Sequence, residues 1–585
     1  MLRPVVSNAD SSPSSFHTAI DSEPSHDSTA ASSPLQSLQQ TPFRDVRPLP
    51  RELKGHCQIF LEEGLYLGAI NLYDSLLGAG SSRQRPTSKS VYVPPPTHLA
   101  VLNTLIVHPV YTNRADKQSQ EIAASALSYL RSLLEVVGPV NANFRAAFEF
   151  YSTPRWHRRR TGYSTDGTLS DGPIDERDRD RISGSLANEN SIWSRGQDFW
   201  STLGWALNCS TLYPQRWRYW KAWLDFMLDV LQSDWSERER LDQEAHEASG
   251  RHGPTPTTMR QDSILAMYME QKNGPQGGFK AIMKALFADG GSLSTSAFHE
   301  VFEKEPRGRQ SESRKRKRND RVDVDNGKFG DYLDDEPFSC GVSEPPTPEK
   351  PRNPREATAS FGTTFPGLTD TISLRLRLFQ LLLGATYALR KLSYVRHLFD
   401  AYASSLKVVP LPVFGLVVGQ QQRRRPGGDD GGYPGGGLPP GLRVTLIKAL
   451  FNLLLPAGHR SPRRVDPEGD EEGRLSAAML EQCYAPHPAN TVGIDDNAKL
   501  SLVVEAAVQL LWACGSLAYS PTLEDAIRAG VDARNAKVKR KRTGRAPPDP
   551  DDALAAEALD ASANRLRVLL EVMKATASEE EDCVA

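Results

Sequence analysis

The sequence predicts an all-α fold, an irregular array of solenoid-like helix pairs with long disordered linkers. Three observations carry that reading. Apolar residues recur at three- and four-residue spacing, as in Ile122, Ala126, Leu127, Leu130, Leu133, Leu134 and Val137, which places them on one helix face. Regular alternation is missing, and no Asn-Gly or Asp-Gly turn stands between β-branched runs, so strand signals are nearly absent. The 43 glycines and 42 prolines gather with charged residues in stretches unable to form core. No fixed period emerges, so no named repeat family is indicated.

Residues 1–50, rich in Ser, Pro, Asp and Gln, read as a disordered tail. A first helical lobe is expected over 51–305. It opens with Cys57, Phe60, Leu61, Leu65, Leu67, Ile70 and Tyr73 on two short helices hinged near Gly64. Pro94 to Thr97 starts another, carrying Leu99, Leu102, Leu105 and Ile106. The helix over 115–138 stops at Gly138-Pro139, a natural terminator. Phe144, Phe148 and Tyr151 mark a further helix, and 154–190 reads as a polar insertion containing Arg158-Arg159-Arg160.

Seven of the nine tryptophans follow. Trp193, Trp200, Leu203 and Leu207 share one face, and Pro214 opens a helix aligning Trp217, Trp220, Leu224, Met227 and Leu231. The two read as an antiparallel pair. Short helices are expected over 264–269, 279–287 and 294–302. A disordered basic/acidic linker at 306–361 leads to a second lobe over 362–530. There, Leu374, Leu378, Leu381, Leu382 and Tyr387 share a helix, and Leu392, Val395, Leu398, Phe399 and Tyr402 the next. Further helices carry Leu446, Leu450 and Leu454, then Leu500, Val504, Val508 and Leu511. Gly/Pro loops at 420–441 and 456–473 interrupt this lobe. A basic linker over 531–552 precedes a C-terminal helix from Ala553 to Lys574 and an acidic tail.

Formal net charge is −2, so binding to nucleic acid has to be local. Cys57, Cys209, Cys340, Cys483, Cys514 and Cys583 form no CxxC pair, which favours reduced thiols over a disulfide or zinc framework. No apolar N-terminal leader is visible, and no apolar run reaches the ~18 residues of a membrane span. No cofactor or metal is expected. Asp323 to Gly327 begins like a calcium loop, but its glycine falls one position early. His299-Glu300 begins like a zinc-protease helix, but Glu303 stands where the second histidine belongs. Cys483 and His487 lack a second ligand pair. A cryptic helical enzyme would need His98, His108 or His397 beside carboxylates in one pocket.

What remains are addresses and contacts. Arg314, Lys315, Arg316, Lys317 and Arg318 form one basic run, and Lys537, Lys539, Arg540, Lys541 and Arg542 dominate another. Such runs cannot be core, and read as nuclear import signals for an import receptor. Thr41, Thr347 and Ser461 each precede proline with a basic residue two places beyond it, a pattern resembling the cyclin-dependent kinase consensus. Trp217, Arg218, Trp220 and Trp223 form a candidate interface, although helical spacing turns most of the tryptophans inward. The expectation is a nuclear, non-enzymatic scaffold or adaptor that docks protein partners. The alternative is direct DNA or RNA binding through Arg158 to Arg160, the Trp/Arg block and the basic runs.

Overall fold

The computed structural model of the chain describes residues 43–79, 90–114, 116–150, 181–250, 255–272, 277–306, 366–390, 392–419, 438–539 and 550–584. Most of these are helical, as the periodicity requires. The exception is a parallel pair, β1 (Val46–Pro48) and β2 (Val91–Val93), with Val46 opposite Val91. Residues 43–50 are therefore part of the fold, contrary to the expected tail boundary. The Arg44 N–H donates to the Val136 carbonyl at 3.1 Å, and Leu49 is buried. An extended stretch this short carries too few apolar residues for its period to show in sequence.

The first lobe follows its punctuation. Helices α1 (Arg51–Glu62) and α2 (Tyr66–Ala79) are hinged at Gly64, whose φ is 76°. Helix α3 (Pro96–Val107) takes proline in its first turn, where no backbone donor is needed. The Asp116 carboxylate accepts from the Ser119 N–H at 2.8 Å to start α4 (Lys117–Val137), and Gly138 at φ 79° ends it. Of the expected insertion at 154–190, residues 154–180 lie outside the described residues. Residues 181–190 pack inward, with Ile182 and Leu186 buried and the Ser183 N–H donating to Glu62 at 2.7 Å.

Helices α5 (Phe199–Leu212) and α6 (Pro214–Ser249) form the tryptophan pair. Past Trp235 the apolar stripe fades, yet α6 continues on the ion pairs Arg238–Asp234 (2.9 Å) and Arg240–Glu237 (2.6 Å). Then come α7 (Ile264–Glu270), α8 (Gly277–Leu286) and α9 (Ser292–Ala297). The helix expected through residue 302 ends early, and 298–306 runs irregularly into the core.

The second half contains α10 (Pro366–Leu389), α11 (Leu392–Val408), α12 (Leu411–Val418) and α13 (Pro440–Leu454). It continues through α14 (Ile494–Ala513), α15 (Pro521–Lys539) and α16 (Pro550–Val584). Several expectations are corrected here. Residues 531–539, read as linker, belong to α15. The 456–473 loop holds the helical turns Pro462–Val465 and Pro467–Glu471. Tyr387 and Leu392 stand exposed, at the end of α10 and the start of α11, instead of joining the core. Residues 420–437 of the other loop, and the 306–361 linker apart from Pro306, lie outside the described residues.

The two lobes meet at a packed seam. Helix α10 lies on α5 and α6, and α11 lies on α8. Leu374 and Leu378 face Leu203, Leu207, Leu224 and Leu228. Arg375 is buried in that seam, donating to the Leu286 carbonyl, to the Ala288 carbonyl at 2.7 Å and to Thr371 at 2.8 Å. Burial pushes its guanidinium down to about 10. At the rim, Arg377 pairs with Asp229 (2.8 Å) and Lys221 with Asp370 (2.9 Å). One continuous apolar cluster spans both lobes.

Candidate docking groove

The structure decides first where the tryptophans go. Trp217, Trp220 and Trp223 are buried, so the candidate interface read on them is core, and Arg218 alone of that set is exposed. Their helical spacing turns them inward, and the indole N–H groups of Trp220 and Trp223 meet buried acceptors, while that of Trp217 meets none among the described residues. Trp223 donates to Asn103 Oδ1 at 2.7 Å. Trp220 and Trp205 both donate to the carboxylate of Glu305, at 2.6 and 2.9 Å. Arg216 completes the cluster: its Nε donates to Glu305 at 2.9 Å, and its other nitrogens bond Thr112 and the Val107 carbonyl. Sequence reasoning missed Glu305, because an acid in a Lys/Glu/Pro-rich stretch looks solvated. Arg218 lies over the Tyr219 ring at 4.5 Å.

The other sequence candidates are scattered. Arg314, Lys315, Arg316, Lys317, Arg318, Thr41 and Thr347 lie outside the described residues, as do Arg540, Lys541 and Arg542. Lys537 belongs to α15, donates to the Ala489 carbonyl and is followed by buried Val538. That basic run thus begins inside the fold, not in a linker. Ser461 is exposed, immediately before the turn holding Arg463 and Arg464. Burial pushes the thiols of Cys57, Cys209 and Cys483 upward, away from the reactive thiolate. His98 sits in the core with Nδ1 2.7 Å from the Tyr73 hydroxyl. His108 lies against Phe302 and is pushed down to about 4, by burial first and then by Arg216, Arg114 and Arg195. Among the described residues, no cluster of three His, Cys, Asp or Glu side chains is placed to hold a metal.

A groove of about 840 Å³ lies between α8, α9 and α11. Phe279, Met283, Phe287 and Ala401 line it with apolar surface. Leu293 and Val408, 81% and 83% exposed, are the most exposed large hydrophobic side chains among the described residues, and both line it. Helical geometry explains the arrangement. On α11, Leu398, Phe399, Tyr402 and Leu406 point into the core, leaving Ala401, Ser404 and Val408 on the groove side. The Phe287 and Tyr402 rings, 5.0 Å apart, join the two walls. Lys280 and Lys284 stand four residues apart along α8, while His397 and Asp400 line the α11 side. No hydrogen bond joins His397 to Asp400 or Ser404 among the described residues, so the groove offers apolar contact and charge, with no assembled acid–base pair. Sequence shows each wall as an amphipathic helix, but their meeting across more than a hundred residues is a tertiary event.

The chain matches no protein-family model, and no curated protein is similar to it.

Proposed function

We propose that this protein is a non-enzymatic nuclear scaffold or adaptor subunit that docks protein partners on its helical lobes. The supporting observation is the groove between α8, α9 and α11, where two large apolar side chains stand in water beside a buried seam. Exposed apolar side chains gathered in one concavity and rimmed by charge suit a protein contact. The pairs α5–α6 and α10–α11, stacked through the seam, are the units of a solenoid-like array. Import rests on the run Arg314 to Arg318 and on the run Lys537 to Arg542, whose first residues belong to α15. Proline-directed phosphorylation at Thr41, Thr347 and Ser461 regulates assembly. At exposed Ser461 it adds nearly two negative charges beside Arg463 and Arg464. Direct DNA or RNA binding draws less support, because Trp217, Trp220 and Trp223 are buried and Arg216 is bonded to Glu305. The test is affinity purification from nuclease-treated nuclear extract. Stoichiometric partners that survive nuclease support the scaffold; partners that vanish with it transfer the role to nucleic acid.

A further inference from the structure

Resting on that scaffold reading, we infer that the groove between α8, α9 and α11 takes an amphipathic α-helix from a partner protein, with an acidic edge along α8. Backbone chemistry selects a helix. Most of the lining belongs to helices, whose main-chain groups pair within the helix, and no strand among the described residues borders the groove. An extended peptide pressed onto Phe287, Leu293 and Val408 would lose water from its amides and gain no partner for them. A helix brings its backbone bonds with it.

Size agrees. From His397 to Val408 the α11 wall rises about 17 Å, roughly three helical turns. That length takes apolar anchors at i, i+3 or i+4, and i+7. Leu293 and Val408 offer them contact from α9 and α11.

Charge sets the orientation of the faces. Lys280 and Lys284, exposed on α8, have no ion-pair partner among the described residues, and neither has Asp400 across the groove; the other lining acid, Asp289, stands past the end of α8 and accepts from the Gly291 N–H at 2.9 Å. Two lysines spaced i, i+4 match two carboxylates at the same spacing on an incoming helix. Asp400 favours a basic residue on its opposite edge. The occupant is therefore acidic on the α8 side, apolar in the middle and basic towards α11.

The test is to pan a phage-displayed library of peptides about 16 residues long on the full chain. Counter-selection uses the variant Leu293→Glu/Val408→Glu, both positions being exposed and so compatible with folding, which a thermal melt matching wild type confirms. Expected are enriched sequences with an i, i+3/i+4, i+7 apolar stripe and an acidic edge, binding wild type at least about tenfold tighter than the double variant. A second panning on Lys280→Glu/Lys284→Glu then enriches the opposite edge. Equal binding to both proteins, no enrichment, or enriched sequences that are extended, proline-rich or basic would overturn the inference. So would displacement of the enriched peptides by a synthetic peptide from residues 307–365 of this chain, or a dimer that the double variant dissolves. If nuclear partners stay bound to the double variant, the scaffold reading stands and the helix-in-groove reading alone fails.

Discussion

Glu305 and Glu505 each fasten a late stretch of chain to a helical lobe, and each is held by an arginine, but the surroundings differ. Glu305 is fully buried, as is Arg216, and two indole N–H groups donate to it from α5 and α6. Glu505, on α14, binds α16 through Ser562 at 2.9 Å and Arg565 at 2.6 Å, and the Arg565 side chain is half exposed. The same pair of functional groups therefore works in two dielectric settings. Where water is excluded, removing one member strands the other; where water reaches the guanidinium, solvent replaces what is lost. Glu505 itself is buried, so the contrast lies in the arginines: Arg216 is sealed from water, and Arg565 is not.

Breaking the stronger side gives the largest effect. Glu305→Ala leaves buried Arg216 without its counter-charge and two tryptophan donors without an acceptor, and is expected to cost about 3–5 kcal/mol in urea unfolding. Replacing both members, as in Arg216→Met/Glu305→Met, should restore most of that loss. A cost under about 1 kcal/mol for the single change would erase the contrast between the lobes. Next comes the seam that joins them. Arg375→Met withdraws donors from the Leu286 and Ala288 carbonyls and is expected to cost about 1–3 kcal/mol. A value matching Glu305→Ala would make the seam equal in weight to the first lobe's closure.

Acid sharpens the comparison further. His108 beside Phe302 titrates at about 4 in the fold, below its ordinary 6.5. The unfolded chain takes up the proton first, so this contribution is complete above pH 6.5 and is lost as the pH falls towards 4. The slope is at most about 1.4 kcal/mol per pH unit. His108→Phe should flatten the stability profile in that window, and an unchanged profile would show the histidine to be solvated. The smallest effect belongs to the exposed partner of the second lobe. Arg565→Ala should cost under about 1 kcal/mol, visible chiefly as faster amide exchange along α16. A loss rivalling Glu305→Ala would refute the dielectric explanation.

Much of the helical framework was legible because its boundaries are chemical. Gly64, Gly138 and Pro214 each act through their own backbone, within a turn or two. Helix α15 was not legible. Its buried stripe of Leu523, Ile527, Val531 and Val538 passes through Arg534, a fully buried arginine donating to the Ala485 and His487 carbonyls at 3.3 Å. In sequence that arginine breaks the apolar pattern and makes the segment look like basic linker. The groove was half legible: Phe279, Met283, Lys280 and Lys284 mark an amphipathic helix, and nothing local names α11 as its neighbour. Glu305 shows the same limit from the other side, since its donors lie about a hundred residues upstream.

The seam also sets an order of events during synthesis. Leu374 and Leu378 of α10 cover a leucine face that α5 and α6 present through Leu203, Leu207, Leu224 and Leu228. They leave the ribosome roughly 150 residues after Leu228, about 10–30 s later at ordinary elongation rates. For that interval the nascent first half carries an uncovered apolar surface and is a natural client for chaperones. A chain truncated before Pro366 keeps that exposure permanently and should aggregate.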